Sequence, residues 1–145
     1  SLFDCFSLCS MMQNVLPIMQ AQKSGAIVNL GSVSGMFGYP FEIAYGASKA
    51  AVIHMTKNAA NENGGNGVRV NAISPGWVNT NMMKSILASY KDVGFENSAD
   101  NVTLGPMKRP GEPEEMANAI VFLCSEDASY INGTNFLVDG GMTLG

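Results

Sequence analysis

Tyr45 and Lys49 stand four residues apart in the segment Tyr45-Gly46-Ala47-Ser48-Lys49, and Ser32 lies thirteen residues ahead of the tyrosine. On a helix, positions i and i+4 share a face, which brings the Lys49 ammonium beside the Tyr45 phenol. A phenol with an ordinary pKa of about 10 is a poor proton carrier near neutrality, and an adjacent fixed positive charge favours its deprotonated form. The pair is therefore suited to general acid and base catalysis. Ser32 closes the run Ile27-Val28-Asn29-Leu30-Gly31 and is expected to point its hydroxyl into the same space. There it would hydrogen-bond the carbonyl or alcohol oxygen whose proton is exchanged, so that three side chains surround one reacting atom.

The surrounding pattern supplies the elements to hold them. Residues 2–22 are rich in apolar side chains without an internal glycine and predict a largely buried helix, bent or loosened ahead of Pro17. Residues 26–32 form a short apolar run after Gly25, as a buried parallel strand does. Gly35, Gly38 and Pro40 mark 33–41 as loop, and 42–62 predicts a long helix with Ala44, Ala47, Ala51, Met55 and Ala59 along one side. Gly64, Gly65 and Gly67 end that helix, and Val68 to Ser74 makes a second strand that Pro75-Gly76 breaks. Residues 77–112 are mixed in pattern, with short apolar pieces from Met82 to Tyr90 and a polar middle from Glu96 to Asn101; they read as a mobile, substrate-facing segment. Glu112 to Leu123 predicts a helix with Pro113 in its first turn and acidic residues near its positive end. Thr134 to Val138 is a last strand, closed by Asp139-Gly140-Gly141. Helices alternating with buried strands imply an α/β fold with an open parallel sheet covered on both faces.

Five blocks in order carry a resemblance to a known family: Gly25 to Ser32, Tyr45 to Ala51, Val68 to Gly76, Arg109 to Glu115, and Val138 to Gly141. Together they resemble the short-chain dehydrogenase/reductase family over nearly the whole chain. The resemblance implies a Rossmann-like, doubly wound parallel sheet. It also implies a nicotinamide cofactor, NAD or NADP, exchanging hydride with a small-molecule carbonyl or alcohol substrate. By the same resemblance Tyr45 is the catalytic acid for reduction and base for oxidation, Lys49 assists it and hydrogen-bonds the nicotinamide ribose, and Ser32 holds the substrate oxygen. Ser34 competes for that last role, but Ser32 keeps the family's thirteen-residue spacing and closes the strand. Pro75, Gly76, Val78 and Thr80 match the family positions that bind the nicotinamide carboxamide. Asp4 falls near the place of a family asparagine that holds a water beside the lysine, and that fourth position is left unassigned. The family's Gly-x-x-x-Gly-x-Gly phosphate motif has no match ahead of the first strand; Gly31, Gly35 and Gly38 imitate it only loosely. Residues 1–145 are thus expected to be the C-terminal portion of a single, N-terminally truncated family domain. Homodimers or homotetramers are implied by the resemblance. A catalytically silent subunit or scaffold partner is the competing function, and epimerase or dehydratase chemistry on the same Tyr and Lys is a related one.

Composition narrows the remaining classes. The residues are 46% hydrophobic and 14% charged, which fits a globular domain and excludes a disordered chain or a coiled coil. A net charge of −4, with eight Lys and Arg that do not cluster, gives no footprint for nucleic acid. No apolar run approaches the ~20 residues that span a bilayer. Three cysteines without zinc or redox spacing fit a reduced, cytoplasmic setting; Cys5 and Cys9 are expected to be buried thiols, with no metal site. Trp77 and Met82 are candidates for a substrate pocket or for core, His54 for packing or surface, and Asn71 and Asp139 for ties between loops and strands.

Overall fold

The computed structural model describes residues 2–92 and 104–144, the side chains of residues 2–4, 91 and 92 excepted. In chain order the elements are α1 (Leu2–Gln22), β1 (Gly25–Leu30), α2 (Ile43–Asn63), β2 (Val68–Pro75), α3 (Asn81–Asp92), α4 (Pro113–Cys124) and β3 (Asn135–Val138). Short 3-10 turns occupy Val33–Gly35, Gly64–Asn66 and Glu126–Ala128. The three strands form one parallel sheet in the order β1-β2-β3. Its register runs from Gly25 opposite Val68 to Leu30 opposite Ile73, and from Ala72 opposite Asn135 to Pro75 opposite Val138.

Alternation along the central strand assigns the two layers. Val68 and Val70 face α1 and α2, where Met12, Ala59 and Ala60 complete a buried cluster with Ile27 of β1 at its edge. Ile73 points the other way, to Met116 and Leu123 of α4, with Val28 and Val138 beside it. Because both faces are covered, both parities of β2 are buried: Val68, Val70 and Ala72 on one side, Ile73 and the polar Asn71 on the other, all at 0% exposure. This is the doubly wound arrangement expected from the alternation of elements.

Polar side chains inside the sheet are paired. Asn29 of β1 donates to Thr56 Oγ1 of α2 at 2.9 Å, and Thr56 donates to the Val52 carbonyl at 2.8 Å. Arg69 lies on the α4 side, where its guanidinium donates to the carbonyls of Leu123 at 2.8 Å and Ser125 at 2.9 Å and so closes the last turn of α4. Asn71 donates to the Ile131 carbonyl at 2.9 Å and accepts from the Thr134 amide at 3.0 Å. Asp139 accepts from the Gly141 and Thr143 amides at 3.0 and 3.1 Å. Asn71 and Asp139 are the loop ties that the sequence suggested.

Four features depart from expectation. The segment after β2 is not irregular throughout, because α3 forms with Met83, Ile86, Leu87 and Tyr90 half-buried at helical spacing and Thr80 capping its start. The Glu96 to Asn101 stretch lies outside the described residues. The small residues of α2 do not share one side: Ala44 and Ala47 are exposed, Ala51 and Met55 half-buried, and Ala59 buried. Four-residue steps overshoot a helical turn by about 40°, so such a stripe spirals from solvent into the core. α1 spans 2–22 through Pro17 but is not largely buried, Met12 alone being buried among its described side chains. Cys5 and Cys9 are half-buried, with Cys5 Sγ donating to the Ser48 carbonyl at 3.4 Å. Among the described residues no helix is long and apolar enough to cross a membrane.

Candidate active site

At the carboxyl ends of β1 and β2 the chain leaves the sheet twice, and the chemistry-bearing residues gather there. The ladder extends one step past β1, with the Gly31 amide donating to the Ile73 carbonyl at 2.7 Å. Ser32 follows immediately in extended conformation (φ −168°, ψ 154°) and is buried at 7% exposure. Its Oγ accepts from the Ser34 amide at 3.2 Å, capping the turn Val33–Gly35. That bond uses one oxygen lone pair and leaves the hydroxyl proton to donate elsewhere.

Tyr45 and Lys49 lie one turn apart on α2. The Lys49 ammonium sits over the Tyr45 ring at 5.7 Å from its centroid and donates to the Leu30 carbonyl at 2.9 Å. A backbone acceptor at the end of β1 thus fixes the charge beside the phenol. Ser48, between them in sequence, donates its hydroxyl to the Tyr45 carbonyl at 2.7 Å and is buried at 3% exposure.

Two glycines lock the serine turn against this helix. A Cβ on Gly46 would stand 2.7 Å from the Ser34 carbonyl oxygen, and a Cβ on Gly35 would stand 2.7 Å from the Lys49 carbonyl carbon. Both distances are shorter than side-chain carbons tolerate, so only glycine permits the turn after Ser32 to press on α2 beside Tyr45 and Lys49. The sequence reading passed over these positions, although the sole signal, glycine directly after the tyrosine and in the turn, was present. Among the described residues Ser32 and Tyr45 share no direct hydrogen bond; the turn that Ser32 caps is what rests on α2, at Gly46 and Lys49.

The segment after β2 forms the neighbouring wall. The Gly76 amide donates to the Val138 carbonyl at 3.1 Å, and a Cβ there would meet Asp139 Cα at 3.1 Å, so Gly76 fits the chain against the end of β3. Val78 bridges Gly111, with Asn79 N to Gly111 O at 2.8 Å and Gly111 N to Trp77 O at 2.9 Å. Thr80 donates to the Val78 carbonyl and accepts from the Met83 amide, both at 3.3 Å. Its hydroxyl oxygen keeps one further lone pair. Gly76, Val78 and Thr80 are therefore held by backbone and side-chain bonds to β3, to Gly111 and to the start of α3, directly after Pro75 ends β2. Trp77 is half-buried, Met82 and His54 are exposed, and the Asp4 side chain lies outside the described residues.

Before α4, Arg109 forms a two-pronged ion pair with Glu115 at 2.7 and 2.8 Å, and Glu115 also accepts from the Glu112 amide at 2.8 Å. The Arg109 hydrogen bonds and the Glu112 amide pull the Glu115 carboxyl down to about 2. At the opposite rim Tyr39 and Tyr90 are pushed up, first by burial and then by the charge of Glu42.

Comparison with known proteins bears on the family and the fold. The sequence model of the enoyl-(acyl carrier protein) reductase family matches residues 3–143. The 3-oxoacyl-[acyl-carrier-protein] reductase FabG of Thermotoga maritima is 39% identical over 132 residues, which cover 91% of this chain and 51% of that protein. Among solved structures, 7α-hydroxysteroid dehydrogenase complexed with NADH and 7-oxo glycochenodeoxycholic acid superposes with a TM-score of 0.83 at 33% identity, over 94% of this chain and 51% of that one. ElxO with NADP bound gives a TM-score of 0.79 at 37% identity, over 92% and 52%. The chain spans about half the length of the relatives it matches. With the ordered blocks, the parallel doubly wound sheet and these likenesses together, the chain belongs to the short-chain dehydrogenase/reductase family.

Proposed function

We propose that this chain forms the nicotinamide and substrate side of an NAD- or NADP-dependent oxidoreductase acting on a carbonyl or alcohol, with Tyr45 as the proton carrier. The observation that carries the reading is the Lys49 ammonium held over the Tyr45 ring by the Leu30 carbonyl, with the turn that Ser32 caps resting on the same helix. The residues present fit the nicotinamide end of such a cofactor. Lys49 has donors for a ribose hydroxyl, Thr80 has an acceptor for the carboxamide NH2, and Pro75, Gly76 and Val78 form a wall for a flat ring. When bound, the cofactor supplies or accepts the hydride at the substrate carbon.

The chain's own residues handle the oxygen. In reduction the Ser32 hydroxyl donates to the substrate oxygen and Tyr45 transfers its proton to it, leaving a phenolate. The Lys49 charge stabilises that anion, and in the oxidative direction the phenolate takes the proton back. Homodimers or homotetramers are proposed with α1 and α2 outward, where Phe6, Met11 and Ile18 are 77%, 65% and 59% exposed. Light scattering of the full-length protein measures that state.

The decisive experiment follows the reduced nicotinamide absorbance in full-length protein with Tyr45→Phe beside the parent. A fall in kcat of at least about 100-fold is expected. Equal rates would end the proposal.

A further inference from the structure

One carboxylate at this site has no use in the proton transfer described. Glu42 stands at the N-cap of α2, one turn ahead of Tyr45, yet its side chain makes no capping hydrogen bond. Among the described residues its Oε2 is buried and has no hydrogen-bond partner. Buried carboxylate oxygens are almost always paired, because leaving one without a donor forfeits the hydration it had in water. Tyr39 and Tyr90 are both pushed up, first by burial and then by the Glu42 charge, so the carboxylate lies within electrostatic reach of the loop and of α3. Phe41, the residue before it, holds a left-handed backbone (φ 65°) that a bulky side chain rarely adopts, and its ring meets Tyr90 of α3 at 6.0 Å. The carboxylate thus lies one turn ahead of Tyr45, next in sequence to an aromatic contact contributed by two separate segments.

We infer that Glu42 is a specificity-determining residue whose free oxygen accepts a hydrogen bond from a second donor group on the substrate, a hydroxyl or an ammonium placed a few bonds from the reacting carbonyl. The inference rests on the oxidoreductase reading of Tyr45. Residues three apart on a helix have Cβ atoms about 5–6 Å apart, so a donor two carbons away from the carbonyl matches the step from Tyr45 to Glu42. A substrate that supplies the donor enters under the Phe41 and Tyr90 rings and fills the one polar vacancy there. A substrate with a methyl group at that point leaves the carboxylate dry, and sites built around a buried acceptor discriminate strongly against such analogues.

The test uses full-length protein with cofactor and three isosteric ketones: 4-hydroxypentan-2-one, 4-aminopentan-2-one and 4-methylpentan-2-one. The parent is expected to favour the hydroxy or amino ketone over the methyl ketone by about 10- to 100-fold in kcat/KM, the range of one hydrogen bond to a charged group. Glu42→Leu should erase that ratio through a gain on the methyl ketone and a loss on the others, with kcat on the methyl ketone retained. Glu42→Gln, which keeps the shape and an acceptor, should retain the hydroxyl preference in part and lose the ammonium preference; it carries the test if the leucine variant fails to fold. An unchanged ratio in the variants, or no preference in the parent, overturns the inference. If no ketone is turned over, saturation-transfer NMR of the same three compounds decides. A donor-dependent signal whose ammonium component Glu42→Gln abolishes upholds the Glu42 site while the oxidoreductase reading fails, and equal signals for all three compounds overturn it.

Discussion

The Lys49 ammonium hydrogen-bonds the last carbonyl of β1, at Leu30, while standing 5.7 Å from the centre of the Tyr45 ring. A strand terminus therefore sets the position of a charge on a helix. Lys49→Met keeps the stem and removes the charge, and should lower kcat by about 100-fold or more, the usual worth of a positioned acid or base. Steady-state rates measured beside the melting temperature separate this from unfolding; a full rate in a folded variant contradicts the role.

Gly46→Ala would drive a methyl group against the Ser34 carbonyl at 2.7 Å. Relief requires the serine turn to move off α2, at a cost of about 1–3 kcal/mol for overpacking. Urea denaturation should show that loss together with reduced activity. Gly65→Ala, where an added Cβ meets nothing within 4 Å, is the control and should melt no lower than the parent.

Arg69→Met removes the donors that close the last turn of α4 while preserving much of the apolar stem. Leaving the Leu123 and Ser125 carbonyls without their charged partner should cost about 2–3 kcal/mol. Hydrogen exchange would report the loss first at the end of α4, around Leu123. Equal protection in the variant would show that water replaces the guanidinium at no expense.

The Glu115 carboxyl is held at about 2, below its ordinary value of 4.5, by Arg109 and the Glu112 amide. The folded state therefore binds this proton less readily than the unfolded chain, and the stabilisation is fully present above about 4.5. As pH falls through the interval from 4.5 to about 2, it is progressively lost. Solvent exposure and salt make the effect small. Glu115→Gln should flatten that part of a plot of urea midpoint against pH, and an identical slope in the variant would refute the assignment.

The sheet and its two layers were legible because their signals are local and strong. Val68 to Ser74 is short, β-branched at three of its positions and bounded by glycines and a proline, which marks it as a strand although Arg69 and Asn71 interrupt its apolar residues. Tyr45 and Lys49 were legible because i, i+4 spacing fixes a shared helix face whatever the tertiary context. α3 was obscured because Met83, Ile86, Leu87 and Tyr90 are separated by polar residues and flanked by a polar stretch; the Thr80 cap was the signal that would have located it. Gly35 and Gly46 could not be weighed, since their requirement arises from a contact between a turn and a helix that sequence alone does not bring together. Arg69 was invisible for the same reason: its partners lie more than fifty residues away in the chain.

Ser32 follows directly on Gly31, whose amide makes the last bond of the ladder to Ile73. Side chains in a strand alternate in direction, so a slip of a single position between β1 and β2 would turn the residues at the end of β1 to the opposite face and carry the Leu30 carbonyl away from Lys49. Turnover is thereby a gauge of strand alignment: a molecule with every helix intact but its first strand one notch out of step would keep its far-ultraviolet spectrum and lose its chemistry.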